Sequence, residues 1–424
     1  MDAASTARAA TGRLLLERAA ALARHSDSPD HYTRTYLTPA HRAAARQIEE
    51  WMRAAGMVTR VDAVGSVIGR YEADSSGAKT LLMGSHYDSV RNGGRYDGVL
   101  GILVPIACVA ELHERGQRLP YTIEVAAFAD EEGARFQTSF LASRALIGRF
   151  DAALLERRDA DGISLVEAMR DAGLDPARIA QARIDTGQLG AYVEVHIEQG
   201  PVLLNEGRAL GVVTSIAAGS RHAMTVTGEA GHAGTVPMPM RHDALAAAAE
   251  MVLAIEQRCS AGGSLVGTVG MLEVKDGTGN VIPGVVRFSV DIRAADAGTL
   301  AAAQRDVFAT LDTIAARRGV RLDGNRTHDV KPAPCAPWLQ DRLAAAIEGS
   351  GTEPGGKPAR RLPSGAGHDA MILAEVTDVG MLFVRCGAGG VSHNPAETVT
   401  AEDGGAAVAA LGEFLRALRL PWSR

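Results

Sequence analysis

Hydrophobic and polar positions follow one another along the chain in blocks that predict helices first and then strands and helices in alternation. Alanine-rich stretches at residues 5–24 and 38–55 have helical periodicity. Apolar runs at 80–84 and 121–129 read as strands, and a helical pattern at 99–114 lies between them. This order predicts an α/β fold with a mainly parallel sheet and helices on both faces.

The pattern changes near residue 212. From there to about residue 329 it predicts a compact β-α-β-β-α-β unit, with elements at 221–227, 241–258, 268–274, 284–293, 300–317 and near 320. The α/β pattern then resumes with a helix at 338–350 and a strand at 379–385. We therefore expect a catalytic domain formed by 1–212 and 330–424, and an inserted ferredoxin-like α+β domain at 213–329.

Composition narrows the class of protein. The 424 residues are 46% hydrophobic and 22% charged, with a formal net charge of -6. These values are typical of a globular protein and give no reason to expect a nucleic-acid partner. No segment approaches the roughly 20 apolar residues of a membrane span, and no export signal is visible. Four scattered cysteines without a CxxC pair indicate reduced thiols, so we expect a cytoplasmic protein.

Five polar loops follow predicted strands, where the ligands of a parallel α/β sheet collect. They combine histidines and carboxylates with glycine or small polar neighbours. A catalytic metal site needs imidazoles and carboxylates that converge and leave a position open for water. The candidate side chains are His86, Asp88, Asp97, Glu131, Glu132, His196 and His393.

Any single histidine among the twelve is more simply explained as a polar loop or surface residue. Four of them occupy charged, solvated helix faces by their sequence context and receive no role: His25, His31, His41 and His113. The argument for a metal site therefore depends on the five loops taken together.

The loops also carry an ordered set of motifs: Gly-Ser-His-x-Asp-Ser, Gly-Gly-x-x-Asp-Gly, Glu-Glu-Gly-x-Arg-Phe, His-Ile-Glu-Gln-Gly, Gly-His-Ala-Gly-Thr-x-Pro-Met, Gly-Ala-Gly-His-Asp-Ala and Ser-His-Asn-Pro. This set resembles the hydantoinase/carbamoylase group of amidohydrolases, within the dinuclear-zinc superfamily of aminoacylases and exopeptidases. The resemblance extends from about His41 to Glu397. No single motif is diagnostic, but the order is specific.

The resemblance implies two divalent ions, with zinc favoured and manganese, cobalt or nickel as alternatives. Asp97 would bridge both ions. His86 and His196 would complete one site, and Glu132 and His393 the other. Asp88 would hydrogen-bond a ligand histidine and fix its tautomer.

The same resemblance makes Glu131 the general base. Spacing alone leaves Glu131 and Glu132 interchangeable. Because adjacent residues at a strand end point in opposite directions, we expect only one of the two to face a given ion.

Substrate contacts are also implied by the resemblance. His232 would stabilise an oxyanion, Asn280 and Arg293 would hold a carboxylate, and Gln199, Gly367 and His368 would contact the substrate. A structural ion pair is the simpler alternative for Arg293, an ordinary loop residue for His232, and a buried structural histidine equally for His368. Arg221 and Arg385 are weaker carboxylate candidates. The insertion resembles a lid that forms a homodimer interface and closes over the metals.

The expected activity is hydrolysis of an N-carbamoyl-L-amino acid, and allantoate amidohydrolysis is the main alternative. A dizinc dipeptidase or aminoacylase is a more distant one. A non-catalytic binding module would be expected to lack a ligand or the base, and both are present. A serine amidase is disfavoured because no Gly-x-Ser-x-Gly elbow occurs.

Overall fold

The computed structural model describes residues 3–260, 262–353 and 356–420. The expected domain ranges also include residues 1–2, 261, 354–355 and 421–424, which lie outside the described residues. The helices are α1 (Ala3–Ala23), α2 (Pro39–Ala54), α3 (Val99–Glu114), α4 (Leu141–Leu146), α5 (Leu165–Asp171), α6 (Val202–Glu206), α7 (Ala244–Cys259), α8 (Ala297–Arg318), α9 (Pro337–Gly349), α10 (Asp369–Leu373) and α11 (Ala401–Ala417).

The strands follow in the same chain order. They are β1 (Val58–Val61), β2 (Val67–Tyr71), β3 (Thr80–His86), β4 (Thr122–Phe128), β5 (Leu189–Ile197), β6 (Leu210–Ile216), β7 (Ala218–Thr227), β8 (Gly231–His232), β9 (Val266–Thr268), β10 (Leu272–Val274), β11 (Val281–Ile282), β12 (Val285–Ala294), β13 (Arg321–Val330), β14 (Ala333–Pro334), β15 (Arg360–Ser364) and β16 (Val379–Val384).

The chain divides into two compact units. The larger unit comprises the residues up to Thr214, Cys335–Leu362 and the residues from His368 onwards. Its sheet has the strand order β1-β2-β4-β3-β5-β16-β6. The central pairs β4-β3, β3-β5 and β5-β16 are parallel, and the outer pairs are antiparallel. The expected α/β class is therefore confirmed, with the parallel strands at the centre of the sheet.

The burial of the central strands is that of a sheet covered on both faces. All seven residues of β3 and all seven of β4 are buried, which is typical of parallel strands packed between helices. Helix α3 joins these strands and is itself largely buried. It starts after Gly98, whose φ of 65° is easily reached only by glycine, and a Cβ atom there would lie 2.5 Å from the His86 carbonyl oxygen.

The smaller unit comprises Ser215–Pro334 and Pro363–Gly367. Its sheet has the order β10-β12-β7-β13, with β9 also paired to β12 and antiparallel pairing throughout. Helices α7 and α8 contribute Met251, Ile255, Val307 and Leu311 to a core shared with Phe288 and Val290 of β12. Along β12, buried residues alternate with partly buried or exposed ones, as in a sheet covered on one face.

The single strand expected at residues 268–274 is wrong, because two short strands, β9 and β10, occupy this stretch. Both pair with β12, β9 near Asp291–Arg293 and β10 near Val286–Phe288. Between them the Met271 carbonyl oxygen still accepts the Ser289 N–H at 3.0 Å, but the Met271 N–H donates to the Ser289 hydroxyl at 3.1 Å, so a side chain replaces one of the two backbone hydrogen bonds. Continuous apolar spacing does not reveal such a break in the ladder.

The expectation that His41 is solvated is also wrong. Its side chain is buried, its Nε2 atom lies 2.7 Å from the Ala129 carbonyl oxygen, and its ring stacks on Tyr87 at 4.3 Å. Burial lowers the pKa of His41 to about 4. The amphipathic pattern of α2 did locate its buried face, which also contains Ala44, Ile48 and Met52. Histidine is a polar residue type, so the pattern did not assign His41 to that face.

Among the described residues, no helix combines the length and apolar character that a membrane crossing requires. All four cysteines are buried free thiols.

Candidate metal centre

Polar side chains of the larger unit gather where its parallel strands end. His86 is the last residue of β3, Glu131 and Glu132 follow β4, and His196 lies near the end of β5. His393 lies in the loop after β16. Because these strands are parallel, their carboxyl ends share one edge of the sheet, and residues distant in sequence meet there.

Asp97 forms the first of two groups with a pair of buried histidines. Its Oδ1 atom lies 3.6 Å from His86 Nε2 and 3.2 Å from His196 Nε2. The opposite nitrogen of each ring faces an oxygen, since His86 Nδ1 is 3.2 Å from the Asp88 carbonyl and His196 Nδ1 is 2.8 Å from the Ile197 carbonyl. Each Nδ1 atom therefore serves as the donor, and each Nε2 atom faces Asp97.

The second group uses the other oxygen of Asp97. His393 Nε2 lies 3.1 Å from Asp97 Oδ2 and 3.4 Å from Glu132 Oε1. The His393 side chain is 49% exposed, and its backbone has a φ of 54°. In both groups the possible ligand atoms lie within 4.8 Å of one another. Asp97 therefore belongs to two sets of possible metal ligands.

The donor set fits a divalent cation. Asp97 Oδ1 is buried and has no hydrogen-bond partner among the described residues, although two imidazole Nε2 atoms lie beside it. A buried carboxylate oxygen without a hydrogen-bond donor lowers the stability of the fold unless a cation neutralises its charge. Histidine nitrogens with carboxylate oxygens suit zinc, manganese, cobalt and nickel.

The pKa values in the cluster show that it stabilises positive charge. Burial lowers the pKa of His86, but its contacts with Asp88 and Asp97 outweigh burial and raise the pKa well above its usual value. Hydrogen bonding to Asp97 raises the pKa of His393 to about 9. Burial opposes ionisation of Asp97, yet the surrounding imidazoles hold the pKa of that carboxyl well below its usual range. Carboxylates that stabilise protons on these rings would equally stabilise a metal ion that displaces them.

Asp88 organises the two glutamates after β4. Its Oδ1 atom accepts the Glu131 N–H and its Oδ2 atom accepts the Glu132 N–H, each at 3.1 Å. Its Oδ1 atom also lies 3.4 Å from His86 Nδ1. One buried carboxylate thus orients an imidazole and the backbone of both glutamates.

The expectation that only one of the two glutamates faces a given ion does not describe this structure. Both offer a carboxylate oxygen within 4.8 Å of a His86 nitrogen. The reason is that Glu131 and Glu132 lie beyond the end of β4, so strand alternation no longer governs them. Only Glu132 also belongs to the group with Asp97 and His393. Burial raises the pKa of Glu131 well above its usual range, and burial raises that of Glu132 to about 7.

Gln199 lies beside the second group. Its Nε2 atom donates to Asp97 Oδ2 at 3.1 Å and lies 3.4 Å from the Ser392 hydroxyl. Its backbone has a φ of 55°, and its N–H donates to Cys386 Sγ at 3.2 Å. Its side-chain amide therefore lies directly against the possible metal ligands.

His368 is buried next to the first group. Its ring centroid is 4.5 Å from that of His196, and Phe383 packs on another side. Burial, followed by the neighbouring His196, lowers the pKa of His368 well below its usual value. A neutral imidazole is therefore expected at this position.

In the smaller unit, the structure brings His232 and Asn280 together. His232 is in β8 and pairs with Val281 of β11, and the Ala233 N–H donates to the Asn280 carbonyl oxygen at 2.9 Å. Both side chains are exposed. These two expected substrate contacts are therefore neighbours on one short hairpin-like sheet.

Arg293 lies on β12 with its guanidinium held by two partners. Its Nε and Nη2 atoms donate to the two oxygens of Asp291 at 3.1 and 3.0 Å. Its Nη1 atom donates to the Gly365 carbonyl oxygen at 2.8 Å, beside the loop that contains Gly367. Arg221 donates to the same Asp291 at 2.9 Å. The structure thus contains the ion pair that was the simpler explanation for Arg293.

Arg385 has a structural partner as well. Its guanidinium forms a two-pronged hydrogen bond to the buried carboxylate of Asp403, at 3.0 and 2.8 Å. This pair connects the end of β16 to the start of α11, and it explains Arg385 without a substrate.

Comparison with known proteins agrees with this geometry. The model of peptidase family M20/M25/M40 matches residues 82–417. The chain belongs to this family. An N-carbamoyl-L-amino acid amidohydrolase of Geobacillus stearothermophilus is 43% identical over 371 residues, which cover 88% of the chain and 89% of that relative. An allantoate deiminase of Arabidopsis thaliana is 41% identical and covers 92% of the chain and 79% of its own length.

Among solved structures, a hydantoinase/carbamoylase family amidase from Burkholderia multivorans superimposes with a TM-score of 0.88 at 33% identity, covering 95% of this chain and 97% of that one. The resemblance expected from the motifs is thereby confirmed. This member of the family is a metal-dependent amidohydrolase that acts on C–N bonds.

Several buried carboxylates of this family member were not predicted from its sequence, and Glu194 and Glu397 are two of them. Glu194 of β5 accepts hydrogen bonds from the Ser85 hydroxyl at 2.7 Å and from the Ala370 N–H at 3.0 Å. Glu397 contacts the backbone next to Asp97. A glutamate two positions before His196 in an apolar strand, and another four positions after His393, were the available signals.

Proposed function

We propose that the protein hydrolyses the ureido group of an N-carbamoyl-L-amino acid, using two divalent metal ions. The products would be the free amino acid, carbon dioxide and ammonia. The observation that carries the proposal is the position of Asp97, whose two oxygens face two separate groups of nitrogen and oxygen donors. The named activity of the Geobacillus relative supports the substrate class.

The proposed ligands follow from the two groups. His86, His196 and Asp97 would hold one ion, and Asp97, Glu132 and His393 the other. We favour zinc, and manganese, cobalt or nickel suit the same donors. When bound, such ions supply Lewis acidity, which polarises the scissile carbonyl and lowers the pKa of water to about 7.

We assign Glu131 as the general base. Its carboxylate is buried beside the cluster, and its backbone is fixed by Asp88. Burial raises the pKa of this carboxyl in the metal-free protein well above its usual range. It would take a proton from water and return it to the leaving nitrogen. Asp88 would position both Glu131 and Glu132.

Substrate contacts are proposed for six further residues. Arg293 and Asn280 would bind the substrate carboxylate, because a guanidinium held in one orientation by Asp291 loses little entropy when it binds. His232 would stabilise the oxyanion. The remaining contacts are proposed for Gln199, Gly367 and His368.

Allantoate is the second candidate substrate. The Arabidopsis allantoate deiminase is nearly as similar to this chain as the carbamoylase, and both names imply hydrolysis of a small nitrogen-rich substrate. The deciding experiment is ammonia release by the metal-loaded protein with N-carbamoyl-L-amino acids, allantoate, ureidoglycolate and dipeptides, each at equal concentration. A higher kcat/KM for allantoate than for every N-carbamoyl-L-amino acid would overturn the first choice.

We also propose that the smaller unit mediates a homodimer and acts as a lid. Several large apolar side chains of this unit are exposed, on α7, β9, β10 and the loop between the two strands: Leu253, Val266, Met271 and Leu272. Exposed apolar side chains in one unit are a common feature of protein interfaces. Sedimentation velocity of the wild type and of Leu253→Asp tests this, and a monomeric wild type would contradict it. The buried free thiols support a reducing, cytoplasmic location.

A further inference from the structure

Glu397 lies behind the shared carboxylate of the two ligand groups. Its side chain is 2% exposed, and its Oε1 atom accepts the N–H groups of Tyr96 and Asp97 at 2.8 and 3.1 Å. Two consecutive backbone donors on one buried carboxylate are charge-assisted hydrogen bonds, which are stronger than neutral ones. They fix the backbone at the residue whose two oxygens must each point in a defined direction.

The other oxygen of Glu397 reaches a different loop. Its Oε2 atom accepts the Ser392 hydroxyl at 2.7 Å, and Ser392 directly precedes His393. A single carboxylate therefore links the loop of Asp97 to the loop of His393, although the two loops are about 300 residues apart in sequence. The same two loops carry Asp97 and His393, whose side chains lie 3.1 Å apart.

Gly94 allows the carboxylate of Glu397 to approach the backbone closely. A Cβ atom on Gly94 would lie 2.1 Å from Glu397 Cδ and 2.2 Å from its Oε1. The glycine thus allows the carboxylate to lie directly against the loop that it holds.

We infer that Glu397 is a positioning residue that sets the geometry of the second ligand group, made of Asp97, Glu132 and His393. This inference rests on the proposed function, because it assumes an ion in that group. The first group shares Asp97 with the second, but its two histidines have their own supports, since the Nδ1 atoms of His86 and His196 face fixed carbonyl oxygens. His393 lies on a half-exposed loop, so loss of Glu397 should loosen the second ion far more than the first.

The test is a titration of the metal-free full-length protein with cobalt(II) alone. Binding is measured by calorimetry and by the visible absorption of the bound ion. Wild type should bind two ions. Glu397→Ala should keep one with nearly wild-type affinity and bind the other about 10–100-fold more weakly, the range known for partners of metal ligands. Glu397→Gln keeps an oxygen for both N–H groups and should recover most of the lost affinity.

Ser392→Ala removes the link from Glu397 to the His393 loop, together with the longer contacts of the hydroxyl with Asp97 Oδ2 at 3.5 Å and Gln199 Nε2 at 3.4 Å. All of these partners lie at the second group, so the loss of affinity should be confined to the same ion. Glu402→Ala, at an exposed glutamate in the first turn of α11, is the matched control and should match wild type in both sites. Equal weakening of both ions by Glu397→Ala, or no weakening, would overturn the inference. If Glu397→Ala does not fold, the titrations of Glu397→Gln and Ser392→Ala test the inference in its place.

The two proposals fail in different ways. A wild-type protein that binds fewer than two cobalt ions contradicts the dinuclear function, whatever the variants do. A wild type that binds two ions and releases ammonia, together with a Glu397→Ala variant of unchanged affinities, contradicts only the role of Glu397.

Discussion

The two units present their candidate functional side chains in different ways. In the larger unit, His86, Asp97 and His196 are buried, and each ring or carboxylate has several fixed neighbours. In the smaller unit, His232 and Asn280 are exposed, and the Arg293 side chain is 32% exposed. Buried polar groups with many partners favour one geometry, whereas exposed groups can adapt to a ligand. Changes in the larger unit should therefore affect metal binding and turnover, and changes in the smaller unit should affect substrate affinity.

The largest effect is expected at the shared carboxylate. Asp97→Ala removes one oxygen from each ligand group, so the protein should lose both ions and its activity should fall to background. Metal content after gel filtration, measured by plasma mass spectrometry, checks this beside the exposed control Asp185→Ala. Retention of two ions by Asp97→Ala would remove the basis for treating the buried cluster as one unit.

The next effect separates chemistry from metal binding. Glu131→Gln keeps the size of the side chain but cannot accept a proton, so kcat should fall about 10²–10⁴-fold, the range of general acid–base catalysis. Both ions should remain bound. Steady-state kinetics and metal content measure the two quantities, with Glu156→Gln, an exposed change, as the control. Activity within a few-fold of wild type would refute the general-base role.

The smaller unit should respond differently. Arg293→Ala removes charged hydrogen bonds worth about 1.5–3 kcal/mol, so KM for a substrate with a carboxylate should rise about 10–100-fold. Metal content and melting temperature should stay close to those of wild type. Arg287→Ala, an exposed arginine on the same strand β12, is the matched control. If Arg293→Ala lowers stability and leaves KM unchanged, the ion pair with Asp291 is its only role, and the contrast between the units fails at that residue.

The last effect concerns neither metal nor substrate and is a pH dependence of stability in the larger unit. The pKa of His41 is lowered from 6.5 to about 4 in the fold, so the unfolded chain binds the proton more tightly. Stability from this residue is therefore complete above about pH 6.5 and declines by on the order of 3 kcal/mol as the pH falls towards 4. Urea unfolding of wild type and His41→Gln at several pH values measures it. His113→Gln, at an exposed histidine, should follow wild type, and an identical slope for His41→Gln would contradict the assignment.

The sequence patterns predicted the positions of helices and strands more accurately than the contacts between them. The helix expected at 99–114 is α3, and the strand expected at 121–129 is β4 within one residue at each end. The single strand expected at 268–274 was wrong, because the ladder with β12 is irregular between β9 and β10, where the Met271 N–H donates to the Ser289 side chain and not to its backbone. Periodicity reports which face of an element is apolar, and it carries no information about the partner strand.

At the candidate site, too, the sequence predicted the residue types better than the contacts between them. Residue types and motif order identified the groups around Asp97, because only a few side chains bind metals and strand ends collect them. Glu194 and Glu397 were missed, because a buried carboxylate that bonds to backbone or hydroxyl groups looks in sequence like a solvated one. A structural ion pair of Arg293 could be named as an alternative, but its partner Asp291 was found only in the structure.

The sequence by itself determined the α/β class, the family and the residue types gathered at the candidate site, since these depend on local spacing and on the order of motifs. Only the tertiary structure decided that the two oxygens of Asp97 face different donor groups, that Glu131 and Glu132 both lie near His86, and that His41 is buried. These are distances between segments far apart in the chain, fixed by how parallel strands and their loops pack together, and no local pattern contains them.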